Sequence, residues 1–209
     1  MRWTKRKENG RWPAGVPKPS IPTLAEAVPS GPAWLHEVKH DGYRLMVRRE
    51  GDDVLTITRG GYDWTIRYPA VATAARGLAA QRFVIDGEGV VEGEEGVADF
   101  ALLHSRKHDR RCYLIAFDLL QLGDMDLRPL PLETRKRLLS KLLEGSTSGI
   151  VYADHIEGSA GAPMFDAACK MGMEGIVSKR KDNAYTSGPC KHWVKVKNPD
   201  APWKKRLEN

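Results

Sequence analysis

Glu37-Val38-Lys39-His40-Asp41-Gly42-Tyr43-Arg44 places a lysine at the end of a strand-like run, beside Asp-Gly and just ahead of an arginine. An amine in that setting acts as a nucleophile once burial or neighbouring cations strip its proton. Gly42 is the residue type that lets a backbone turn tightly against a ligand, and the Arg44 guanidinium suits phosphate charge. Alone, Lys39-His40-Asp41-Gly42 reads equally as a hairpin turn with solvent-exposed charges, so its meaning depends on the rest of the chain.

Downstream, strand-like runs broken by Gly and Asp continue. Arg44 to Arg49 and Val54 to Thr58, separated by Glu50-Gly51-Asp52-Asp53, predict a hairpin. Phe83 to Val91, then Glu92-Gly93-Glu94-Glu95-Gly96, then Val97 to Phe100 predict another. Tyr113 to Leu120 is almost continuously apolar, as in a strand buried on both faces. Helical spacing runs over Tyr68 to Leu78, with Pro69 in the first turn, and over Leu132 to Leu143, with Leu138, Leu139, Leu142 and Leu143 on one side. Phe165 to Met171 is a third helix, and Ile150 to Ala153, Gly175 to Lys179 and Trp193 to Lys197 are late strands. Hairpins and helices without regular βαβ alternation predict an α+β domain.

Upstream, residues 1 to about 30 carry five of the 13 prolines and read as an extended, weakly structured, basic lead-in. A domain over 31–200 and a short basic tail over 201–209 complete the expected organisation. At 209 residues, 41% hydrophobic and 29% charged, the chain has the composition of one globular domain. No run approaches the ~20 apolar residues of a membrane span, and the basic N-terminus lacks a secretory apolar stretch. A cytoplasmic location is the expectation. Cys112, Cys169 and Cys190 lie far apart and form no CxxC pair, which argues against a disulfide framework or a cysteine zinc site.

The net charge of +6 is uneven: residues 1–18 carry +5, residues 179–209 carry +6, and the remainder carries −5. Basic ends on an acidic body suit a polyanionic partner such as a nucleic acid backbone, and equally suit solvated tails.

Further segments bear chemistry. Thr58-Arg59-Gly60-Gly61-Tyr62-Asp63-Trp64 follows a strand, and Asp86-Gly87-Glu88 puts carboxylates inside an apolar run, where an unpaired one is costly. Phe117, in Ala116-Phe117-Asp118-Leu119-Leu120, offers an aromatic face, and Glu174 opens Glu174-Gly175-Ile176-Val177-Ser178-Lys179-Arg180. Trp193-Val194-Lys195-Val196-Lys197 alternates, so Lys195 and Lys197 share a face; two parallel ammonium groups repel unless an anion lies between them.

In order and spacing these segments resemble the covalent nucleotidyltransferases, the superfamily of ATP-dependent DNA ligases, RNA ligases and mRNA capping enzymes. The wording is most similar to bacterial DNA ligases of the end-joining type, over about residues 20 to 200. The resemblance implies an ATP-grasp-like nucleotidyltransferase domain, with antiparallel sheets flanked by helices and the nucleotide site between them. By that resemblance, Lys39 takes AMP from ATP as a covalent lysyl adenylate. Glu37, by side chain or backbone, reads the base; Arg44 and Arg59 contact the nucleotide and then the 5′-phosphate of a nick. Glu88 hydrogen-bonds the ribose, Phe117 stacks on adenine, and Lys195 and Lys197 hold the α-phosphate. Glu174, with Asp41 as second candidate, binds Mg2+ or Mn2+. Nicked double-stranded DNA is the implied substrate of a nucleoid-associated monomer, with other repair or end-joining proteins as partners that supply the missing DNA-clamping function.

Such ligases continue into an OB-fold domain, and the sequence runs only 12 residues beyond Lys197. Slow self-adenylation, and nick binding through the basic ends, are therefore expected. Taken singly, Phe117 is a core aromatic, Glu88 half of a buried ion pair, and Arg44 and Arg59 surface charges. The histidines lack metal-site spacing, and Arg106 belongs to a basic, exposed loop. A non-catalytic nucleotide- or DNA-binding subunit, and an RNA-end or capping enzyme, are the alternatives.

Overall fold

The computed structural model describes residues 12–94 and 96–200; the basic stretch 1–11 and the tail 201–209, on which the polyanion expectation partly rested, lie outside the described residues. The strands are β1 (Ser20–Leu24), β2 (Trp34–Val38), β3 (Tyr43–Glu50), β4 (Asp53–Thr58), β5 (Arg82–Val90), β6 (Tyr113–Leu122), β7 (Met125–Asp126), β8 (Ile150–Tyr152), β9 (Ile156–Glu157), β10 (Gly175–Arg180) and β11 (Gly188–Lys197). The helices are α1 (Pro69–Gly77), α2 (Phe100–His104), α3 (Leu132–Leu142) and α4 (Gly161–Lys170).

Two sheets result. One runs β1-β11-β10-β2-β9; the other runs β4-β3-β5-β6-β7, with β8 also on β6. Most pairs are antiparallel, but β1 joins β11 and β8 joins β6 in parallel, so the expected antiparallel sheets are mixed.

Local chemistry explains the elements. The β3–β4 hairpin turns on Gly51 and Asp52, with Glu50 opposite Asp53, and Gly51 takes φ +61, which glycine adopts without a Cβ penalty. Pro69 stands at the start of α1, where its missing N–H costs nothing. The second predicted hairpin shrinks to one bridge, Glu92 with Ala98. Asp99 ends it: its carboxylate accepts from the backbone N–H groups of Ala101 and Leu102 and starts α2 at Phe100. The weakly structured lead-in also needs correction, because Ser20–Leu24 is a strand. Pro19 and Pro22 mask it locally, but it is an edge strand, where a missing donor is tolerated.

The sheet containing β3, β5 and β6 is buried on both faces. Leu45, Val47, Phe83, Ile85 and Leu114 pack with α1 and with Leu139 and Leu143 at α3. On the opposite face Met46, Ile57, Val84 and Leu120 meet Cys190 and Trp193 of β11, which ties the two sheets together. Each large apolar side chain so buried is worth about 1.5–3 kcal/mol. The predicted leucine face of α3 is only part of what it buries: Leu138 and Leu142 are half-buried, whereas Arg135 and Lys136 are fully covered. Cys112 and Cys190 are buried, Cys169 is partly so, and all three are free thiols. Among the described residues no helix is long and apolar enough to cross a membrane.

Candidate active site

A cleft of about 590 Å³ opens between the sheets. β1, β2, β10 and β11 supply one wall through Pro22, Glu37, Val177, Lys179, Trp193 and Lys195; β3, β4, β5 and β6 supply the other through Arg44, Thr58, Glu88 and Phe117. Lys39, Asp41, Arg59 and Glu174 also line it, so the motifs, scattered over more than 150 residues of sequence, converge. A second groove of about 620 Å³, beside α3, contains none of these residues.

Backbone register fixes the sheet wall. Val177 stands opposite Glu37 on one side and Lys195 on the other; Lys179 stands between Leu35 and Trp193. One step along, the Lys39 N–H donates to the Gly175 carbonyl at 2.9 Å, and Gly175 faces Lys197. Gly42 is required by proximity rather than by a left-handed turn, since a Cβ there would lie 2.3 Å from the Gly89 carbonyl oxygen.

At one end of the cleft the Lys39 ammonium donates to Glu174 Oε2 at 2.6 Å, and Lys197 Nζ lies 3.5 Å from Glu174 Oε1. Lys195 and Lys197 share a face, as the alternation predicts, but only Lys195 lines the cleft. Burial, then repulsion from Lys39, Lys197 and Arg59, lowers the Lys195 pKa below the usual lysine range. Arg59 is exposed at the rim. Lys39, Lys195, Lys197 and Arg59 thus gather about Glu174, a cluster of positive charge that suits a polyphosphate.

The Glu88 backbone is paired in the sheet, but no side-chain hydrogen bond acts on its carboxyl among the described residues. Burial pushes its carboxyl up to about 7, against the pull of Lys39 and Arg44 and with help from Glu174 and Asp86. A half-ionised carboxyl can both donate to and accept from neighbouring hydroxyls. His40 is pushed down to about 4, chiefly by burial, and is neutral at physiological pH.

At the other end, three expected ligand contacts are already engaged. Glu37 is buried, and its carboxylate accepts from Lys136 at Oε1 and from Lys179 at Oε2, both at 2.5 Å. Arg44 is held in a two-pronged pair by Asp86, at 2.5 and 2.7 Å, and keeps only Nη1 without a partner among the described residues. The Phe117 ring packs edge-on to Trp193 and has two cations near it: Arg44 Cζ lies 4.4 Å from its centroid and Lys179 Nζ 4.1 Å. Tyr185 donates to Asp86 Oδ2 at 2.7 Å and accepts from the Ser20 N–H. Lys136, Tyr185 and the charge-hub role of Glu37 escape motif reading. The one available signal is a cation, Lys136, on the predicted apolar side of a helix.

For a metal, Glu174 and Asp41 both face the cleft, while no group of three His, Cys, Asp or Glu side chains gathers among the described residues. That donor set fits Mg2+ or Mn2+ held by one or two carboxylates together with substrate phosphates and water. It does not fit a cage built by protein alone.

A two-sheet fold with a lysine, a carboxylate and a lysine-bearing strand at one end of an aromatic-walled cleft defines the nucleotidyltransferase class. Residues 18–197 match the ATP-dependent DNA ligase domain model, and the chain belongs to that family. It is 38% identical over 182 residues, 86% of its length, to the multifunctional non-homologous end joining protein LigD of Pseudomonas aeruginosa. It is 36% identical over 166 residues, 79% of its length, to the corresponding LigD of Mycobacterium tuberculosis. The chain spans 22% of the length of each of those proteins. Among solved structures, a mycobacterial DNA ligase D complexed with ATP and MES superposes with a TM-score of 0.75 at 32% identity, over 87% of this chain and 60% of that one.

Proposed function

We propose that this chain performs the nucleotidyl-transfer chemistry of an ATP-dependent DNA ligase acting in bacterial end-joining repair, in the cytoplasm. The neutral Lys39 amine attacks the α-phosphorus of ATP, a nitrogen–phosphorus bond forms, and the bond to the departing pyrophosphate breaks. The amine proton passes to the carboxylate already beside it, Glu174. AMP then moves to the 5′-phosphate of a nick in duplex DNA, and the 3′-hydroxyl displaces it. In-line phosphoryl transfer asks the protein mainly for position and for compensation of charge. Arg59, Lys195 and Lys197 provide the latter, with the Arg44 edge that Asp86 leaves open. Glu174 and Asp41 would hold Mg2+ or Mn2+, which would supply positive charge to the phosphate oxygens. Glu88 suits the ribose hydroxyls and Phe117 with Trp193 the base. Since the Glu37 carboxylate is engaged, base recognition falls to the Glu37 backbone and to Lys179.

The observation that carries this reading is the 2.6 Å approach of Lys39 to Glu174 at the lysine-rich end of the cleft. Incubation with α-labelled ATP and magnesium should leave label on the wild-type protein through a denaturing gel, and none on Lys39→Ala. A folded wild-type protein that never takes label sinks the proposal. GTP in place of ATP, and nicked RNA in place of nicked DNA, separate it from a capping or RNA-joining activity.

A further inference from the structure

Lys136 lies outside every recognised motif, yet it is 1% exposed and its ammonium reaches 2.5 Å from Glu37 Oε1 and 3.1 Å from the Ala153 carbonyl. It reaches Glu37 from α3. It lines the second groove, and the cleft walls do not include it. The other Glu37 oxygen holds Lys179, which does line the cleft and whose ammonium sits 4.1 Å from the ring centroids of both Phe117 and Trp193. We propose that Lys136 is a positioning residue for the base end of the cleft: by holding Glu37 from behind, it fixes Lys179 between the two rings. The inference rests on the nucleotide-binding function proposed for this cleft.

The physical argument is one of charge and geometry. A buried carboxylate shared between two ammonium groups has each oxygen aimed by one of them. Without Lys136, Glu37 pairs with Lys179 alone and can rotate, the Ala153 carbonyl loses its donor, and Lys179 is free to leave the aromatic pair. Lys136 also acts at a distance. The groups around Lys179 are Glu37 from β2, Lys136 from α3, Asp118 from β6 and the two aromatic rings. Burial lowers the Lys179 pKa first and Lys136 lowers it further, while Glu37 and Asp118 act in the opposite sense; the balance stands at about 8. Removing the Lys136 charge must therefore move Lys179 upward.

The test measures KM for ATP and kcat for ATP–pyrophosphate exchange, in which AMP passes to Lys39 and back to pyrophosphate, between pH 7 and 9.5, in wild type and in Lys136→Met. In the variant KM should rise about tenfold at neutral pH while kcat stays within about twofold, the signature of lost positioning in the bound ground state. The alkaline increase in KM, as Lys179 loses its proton, should also move to higher pH. A merely structural lysine would alter melting without moving that pH profile. Lys136→Gln is neutral but still donates to Glu37, so it should recover part of KM and keep the shifted profile; it carries the test if the methionine variant does not fold. Wild-type KM and pH profile in a folded neutral variant overturns the inference. Absence of label on the wild-type protein overturns the proposed function instead.

Discussion

Replacing Arg135 with methionine should be among the most damaging single changes outside the cleft. Arg135 Nε and Nη2 donate to the two oxygens of Asp118 at 2.8 and 2.9 Å, and Nη1 donates to the carbonyls of Leu130 and Asn183 at 2.5 and 3.1 Å. Both side chains are fully buried, so one guanidinium fastens α3 to β6 and to the segment before β11. Burial raises the Asp118 pKa even though Arg135, and more weakly Lys179, act to lower it. Removing one member of such a pair costs about 3–5 kcal/mol, because the other remains as a buried charge. Against a total of about 5–15 kcal/mol, that is a large share. At about 2–4 °C per kcal/mol for a domain of this size, Tm should fall about 6–20 °C. Changing both residues, Arg135→Met with Asp118→Leu, removes the stranded charge and should recover at least about half of the loss. Urea unfolding followed by tryptophan fluorescence, with calorimetry, measures each variant and the coupling between them. A single-variant cost below about 1 kcal/mol, typical of an exposed pair, would refute the reasoning. So would a double variant as costly as the sum of its singles.

Glu37 makes stability depend on acid. Burial alone would raise its carboxyl, but Lys136 and Lys179 outweigh burial and hold it below the ordinary 4.5. The stability it contributes is therefore present above pH 4.5 and lost as pH falls through the lower folded value. Urea midpoints for Glu37→Gln should decline less steeply below pH 4.5 than those of the wild type, and parallel curves would contradict this. Gly175→Ala tests the β10–β11 junction. Gly175 has φ +137, and a Cβ there would lie 2.1 Å from the Val196 carbonyl oxygen. Loss of more than about 2 kcal/mol and of AMP transfer is the expected result, through displacement of Glu174; an unaltered melting curve rules it out.

Much of the molecule is legible from the chain. β3, β4, β6 and α1 follow from alternation, a glycine turn, a long apolar run and a proline at a helix start, all local signals. Gathering of the motif residues into one cleft follows from their resemblance to a family. What escapes is non-local. β1 is concealed by its prolines because its support comes from β11, more than 160 residues away. Phe100 looks like the end of a strand until Asp99 caps a helix instead. Neither Lys136 nor Lys179 reveals its partner until Glu37 is placed between them, and Arg44 reads as a surface charge until Asp86 is found beneath it. Local sequence reports that a charge exists; its partner is set by tertiary packing.

The parallel pairing of β1 with β11 has a consequence for biogenesis. Chain leaving the ribosome can complete the β3–β6 layer with its own neighbours, but β1 waits without its hydrogen-bonding mate until residues 188–197 emerge. Contacts that close so long a loop form slowly, and an unsatisfied strand edge is sticky in the interval. Among the described residues the cleft between the sheets is thus completed only when β11 emerges, and a nascent polypeptide halted shortly before Gly188 would hold a folded β3–β6 layer with one cleft wall missing.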